Sequence, residues 1–71
     1  MSEYLVIIEE AGENFSAYSP DVPGCVAAGD TRDETIDLMK DAMTAHLKGL
    51  REDGLPIPAP TSSAEYLAVA I

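Results

Sequence analysis

The chain has no tryptophan, one cysteine, one histidine and only four basic residues among 71. Each shortage removes a class of explanation. Cys25 has no second cysteine to form an internal disulfide, and with His46 as the sole histidine a Cys/His zinc site cannot be assembled within one chain. Four bases against thirteen acids leave a net charge of -9. Such a surface repels nucleic acid, whose binding depends on Lys and Arg neutralising phosphates, and it disfavours anionic membranes. No apolar run approaches the roughly 20 residues of a membrane span. The N-terminus lacks a basic stretch followed by an apolar one, so no secretory signal is visible and, with an unpaired cysteine, a cytoplasmic location is expected.

Catalytic constellations are equally scarce. Cys25 and His46 are the only nucleophile–base pair of their kind, and a small cysteine after a turn reads as packing. Two-metal nuclease chemistry needs converging carboxylates. The middle of the first apolar run is Val6, Ile7 and Ile8, and Glu9 and Glu10 come only at its end. The stretch GCVAAG lacks the Lys-Ser/Thr end of a phosphate loop. No catalytic or metal-binding residue, no cofactor and no enzymatic activity are expected.

What is present is a compact set of structural signals for one domain spanning residues 1–71. Residues 4–8 (YLVII) are short, β-branched and apolar on both faces, as in a central strand. Gly12 marks a hairpin turn over residues 11–14, residues 15–19 alternate as a second strand, and 25–28 form a third. Between them Pro20, Pro23 and Gly24 make a corner. Thr31 and Glu34 spell a capping box, with each side chain expected to accept a free backbone N–H. Gly54 and Pro56 mark the stop, so a helix is expected over residues 32–53. Pro56, Pro58 and Pro60 make a stiff connector, and residues 65–71 alternate as a last strand. The order β-β-β-α-β is α+β: one helix on a four-stranded mixed sheet in strand order 3-2-1-4, the last strand parallel to the first through a right-handed crossover.

A core this small supplies about 3–5 kcal/mol at most, so a partner or self-association is expected to support it. The helix carries two apolar stripes. Ile36, Met39, Met43, Leu47 and Leu50 are expected to face the sheet. Leu38, Ala42, Ala45 and Gly49 form a second, small-residue stripe, read either as a contact surface for an oligomer or partner or as the flank of a broad buried face. The sheet face opposite the helix is expected to be uncovered, and exposed apolar faces mark interaction sites.

Three segments together carry a family resemblance: YLVIIEE, FSAYSPDVPGCVAAGDTRDE and HLKGLREDGLPIPAP. Their order and spacing over nearly the whole chain resemble the HicB family of antitoxins from type II toxin–antitoxin pairs. The resemblance implies a partly reduced ribonuclease-H-like fold without enzymatic activity. It also implies a partner: a small basic HicA-type mRNA-cleaving ribonuclease toxin, neutralised by covering its active site. The net charge suits such a partner. Glu9, Glu10, Asp21, Asp37 and Asp41 are candidate toxin-binding residues by charge. The alternative is a stand-alone homo-oligomer, dimer or tetramer, with an unrelated or lost partner. Many members of the family add a C-terminal DNA-binding domain; here the sequence stops at Ile71 within the last strand, so direct operator binding by this chain is not expected.

Overall fold

The structure, a computed structural model, describes residues 2–71. Three strands, β1 (Ile7–Ala11), β2 (Asn14–Tyr18) and β3 (Val26–Gly29), precede one helix, α1 (Arg32–Glu52). The strands form an antiparallel meander in the order β1-β2-β3. Ala11 pairs with Asn14 across a two-residue turn. Gly12 takes φ 73 there, the positive φ that tight hairpin turns of the primed types require.

Two expectations need correction. Among the described residues the sheet has three strands, not four, and residues 65–71 are not among them. β1 is consequently an edge strand, where the two-sided apolar pattern of residues 4–8 suggested a central one. The ladder also begins three residues later than the apolar run. The register explains this: Ile7 faces Tyr18, so Leu5 falls opposite Pro20, which has no N–H to donate. The Ser19 hydroxyl takes over and donates to the Leu5 carbonyl at 2.8 Å. The first run keeps its direction without a ladder, and among the described residues no fourth strand lies beside it to pair its backbone.

Alternation assigns the faces. Ile8 pairs with Ala17, and Ala17 with Ala27, on the helix side; Ile7, Tyr18 and Val26 share the opposite side. The core is Ala17, Val22, Cys25, Met39 and Met43, with Tyr4, Val6, Ile8, Ala27 and Leu47 packed around it. Val22 is fully buried. The Pro20–Gly24 corner is therefore a device for inserting one valine into the core. Its backbone is closed by Val22 and Cys25 N–H groups donating to the Ser19 and Val22 carbonyls, both at 3.3 Å, with Gly24 at φ 88.

The helix has the expected ends, with one difference. Thr31 Oγ1 accepts from the Glu34 N–H at 3.1 Å, but among the described residues the reciprocal bond from Glu34 to the Thr31 N–H is not formed. Instead Thr35, wholly buried, donates its hydroxyl to the Thr31 carbonyl at 2.7 Å. At the other end Leu55 N–H donates to Leu50 O and Gly54 N–H to Arg51 O, with Gly54 at φ 70, which is a Schellman motif.

Candidate functional site

The outer face of the sheet is the first surface left open. Tyr18 is 43% and Val26 70% exposed on it, with half-buried Ile7 beside them. Among the described residues no element covers this side, because α1 packs on the other. Glu9 lies on the same face of β1 as Ile7, while Glu10 faces the opposite side, so these two candidates are not brought together. Asp37 and Asp41 are exposed and one turn apart on α1.

Asp21 has an internal role. Its Oδ2 accepts from the backbone N–H of Thr61 at 3.0 Å and of Ser62 at 2.8 Å, and its Oδ1 accepts from their hydroxyls at 3.1 and 2.9 Å. These bonds, the Ser62 N–H foremost, hold the carboxyl below its ordinary pKa. The corner of residues 20–24 is thereby clamped to the connector that follows the helix. A second strap lies nearby, where the Tyr4 hydroxyl donates to the Pro58 carbonyl at 2.6 Å. Sequence alone read Asp21 as a turn or contact acid. The threonine and serine that ligate it lie 40 and 41 positions away, so no local pattern announces them.

The small-residue stripe is open rather than buried: Leu38 and Ala45 are exposed, Ala42 and Gly49 half-buried. A Cβ at Gly49 would meet nothing within 4 Å, so no close approach inside this chain requires glycine there. Ala42 covers the core cysteine, with its carbonyl 4.0 Å from Cys25 Sγ. Burial raises the Cys25 thiol pKa, which keeps it protonated and unreactive. His46 is exposed on the helix. Among the described residues no three His, Cys, Asp or Glu side chains converge as a metal site would require. Among those residues no helix is long and apolar enough to cross a membrane.

A second opening lies between the start of the chain and α1. An open groove of about 630 Å³ has Val6, Ile36, Met43 and Leu47 in its lining, and Lys40, Lys48 and Arg51 on it as well. Three of the chain's four basic residues thus border one groove.

The chain is thus a small antiparallel sheet with one helix, with exposed Tyr18 and Val26 on the outer sheet face and a net charge of -9. Comparison with known proteins makes the class specific. The HicB-like antitoxin family of bacterial toxin–antitoxin systems matches residues 4–70, and the chain belongs to that family. It is 34% identical over 64 residues to an uncharacterised 14.9 kDa protein from the rep-hol intergenic region of Haemophilus phage HP1, covering 90% of this chain and 48% of that protein. It is 31% identical over 62 residues to Antitoxin HicB 2 of Photorhabdus laumondii, covering 87% of this chain and 45% of that one. The chain therefore spans about half the length of these curated relatives. Among solved structures it resembles a chain of a HicA3–HicB3 toxin–antitoxin complex, with TM-score 0.70 and 32% identity, covering 84% of this chain and 70% of that one.

Proposed function

We propose that this protein binds a small basic HicA-type ribonuclease toxin and neutralises it by covering its active site. The observation that carries the reading is the likeness, in both sequence and fold, to a chain from a HicA3–HicB3 complex. The net charge of -9 supports it, because an acidic surface speeds encounter with a cationic partner. The outer sheet face around Tyr18 and Val26 supplies apolar area for the docked state, and Glu9 beside it supplies charge. Asp37 and Asp41 on α1 remain available to the toxin. Asp21 contributes indirectly, by holding the corner in place, since its carboxylate is already engaged.

In the working assembly the sheet gains a fourth strand beside β1, in the manner of a reduced ribonuclease-H-like fold, and the protein self-associates. The chain acts without catalysis or cofactor and makes no direct contact with nucleic acid. Co-expression with a small basic protein encoded beside this gene tests the reading. Rescue of growth and a co-purifying complex are expected. A Val26→Lys variant, exposed and so compatible with folding, should keep its helical circular dichroism and lose both rescue and complex. Full rescue by that variant would move the toxin off the sheet face, and failure of the wild type to bind any neighbouring basic protein would remove the toxin reading itself.

A further inference from the structure

The last nine residues, 63–71, are all exposed. They include Tyr66 at 104%, Leu67 at 78%, Val69 at 70% and Ile71 at 116% of full exposure. Residues 66, 68 and 70 are Tyr, Ala and Ala, and residues 67, 69 and 71 are Leu, Val and Ile, so an extended arm has one bulky apolar face. A strand-forming segment with that face bare in water is unfinished.

The rest of the molecule holds a matching vacancy. Among the described residues the outer edge of β1 is unpaired. Beneath that edge lies the groove between Val6 and the α1 residues Ile36, Met43 and Leu47. A strand added to β1 would lay alternate side chains into this groove. The basic border at Lys40, Lys48 and Arg51 repels a cationic toxin and suits the arm, whose one charged side chain is Glu65.

The arm does not fill the vacancy of its own chain. Its root is fixed by the Asp21 bonds to Thr61 and Ser62 and by the Tyr4–Pro58 strap. Residues 64–66 pass near Leu5–Ile8 without a backbone hydrogen bond among the described residues, and the arm then leaves the body. The dimensions record this. The Cα radius of gyration is 13.9 Å, against about 11 Å for a compact chain of this length. The accessible surface is 5623 Å², against roughly 4,200 Å² for a compact monomer of this mass. The surplus of about 1,400 Å² is more than the ~800 Å² each partner gives to an ordinary stable interface.

We propose that residues 64–71 form a strand donated to a second copy of this chain, pairing with its β1 edge and filling its groove while that copy returns the favour. Each chain carries both the donor and the acceptor, so exchange closes as a two-fold dimer with no exposed arm left. This deepens the self-association proposed above and is independent of the toxin, so it is tested on the protein alone.

Sedimentation should give twice the 7.5 kDa chain mass at high micromolar concentration. Placing proline at two successive arm positions, Leu67→Pro with Ala68→Pro, puts one of them at a hydrogen-bonding position whichever way the strand pairs. The helix signal should persist and the mass fall to that of one chain. In a mixture of isotope-labelled and unlabelled wild-type protein, contacts between residues 66–71 of one copy and Val6 or Met43 of the other are expected. A wild-type monomer, a folded double-proline variant that stays dimeric, or arm contacts confined within one copy would each overturn the exchange. If the double-proline variant fails to fold, the mixed-label contacts decide the question alone.

Discussion

Gly29 and Gly49 look alike in the sequence and differ in what surrounds them. A Cβ built at Gly29 would stand 2.8 Å from Thr35 Oγ1 and 3.2 Å from the Thr35 backbone nitrogen. That threonine is wholly buried in the first turn of the helix, so the backbone part of the clash cannot be relieved by a side-chain rotation. Gly29→Ala is expected to destabilise the fold by about 1–3 kcal/mol, the usual range for overpacking. At Gly49 the same substitution meets open space inside a helix and is expected to stabilise the isolated chain by about 1 kcal/mol through propensity. Paired thermal melts of the two variants check the contrast; equal shifts would mean that the approach of α1 to the end of β3 is looser than described. If Gly49→Ala also weakens self-association or toxin binding while raising stability, the small-residue stripe is a contact surface.

Asp21 gives the residue scale a pH dependence. Its carboxyl is held below the ordinary value, chiefly by the Ser62 N–H. A depressed folded pKa means that the clamp stabilises the fold fully above the unfolded Asp value, about 3.9, and that this contribution is lost as pH falls through the lower folded value. Asp21→Asn keeps the shape but replaces one accepting oxygen with an NH₂ donor facing groups that also donate. The variant should melt lower than wild type at neutral pH, and the gap should close under strongly acidic conditions. A gap that persisted unchanged into acid would show that charge at Asp21 has no part in the clamp.

At the scale of elements, legibility followed the range of the interactions. The hairpin turn at Gly12, the start of α1 at Thr31 and its stop at Gly54 were all readable, because their donors and acceptors lie within a few residues of one another. The inward stripe was readable in its centre: Met39 and Met43 are buried, as their spacing implies. What the pattern missed is non-local. The start of β1 depends on Pro20 opposite Leu5, a pairing that exists only once the register is known. Val22, within the corner of residues 20–24, is a fully buried core residue, and the turn residues around it carry no signal of that. The apolar alternation of residues 65–71 suggested a fourth strand, and among the described residues the sheet has none there: alternation marks a segment able to pair but does not supply the neighbouring strand. Charge pattern likewise suggested Glu9, Glu10, Asp21, Asp37 and Asp41 without revealing that Asp21 is clamped and that Glu9 and Glu10 face apart. The local signals can be tested directly. Thr31→Ala removes the oxygen that accepts from Glu34 N–H and should cost about 1 kcal/mol, which for a domain of this size lowers the melting temperature by about 4–8 °C. No change would mean that the Thr35 hydroxyl, bonded to the same turn, holds the helix start unaided.

At the scale of the whole molecule, the two proposed associations draw on different forces and should separate when salt is varied. Toxin capture joins an acidic chain of charge -9 to a basic protein, so attraction over distance raises its on-rate. Screening shortens that reach to about 10 Å at 0.1 M ionic strength, and the on-rate should fall steeply as salt is added. Arm exchange joins two chains of the same charge, which repel each other. Its favourable part is apolar burial of Leu67, Val69 and Ile71 and backbone pairing along β1, both of which salt leaves largely intact. Added salt removes the repulsion, so the dimer should hold or tighten over the same range. Measuring association rates with the toxin and sedimentation of the protein alone across one salt series places both responses side by side. Opposite trends are expected. A dimer that dissociates in step with the toxin complex would mean that ion pairs, not a shared strand, join the two copies.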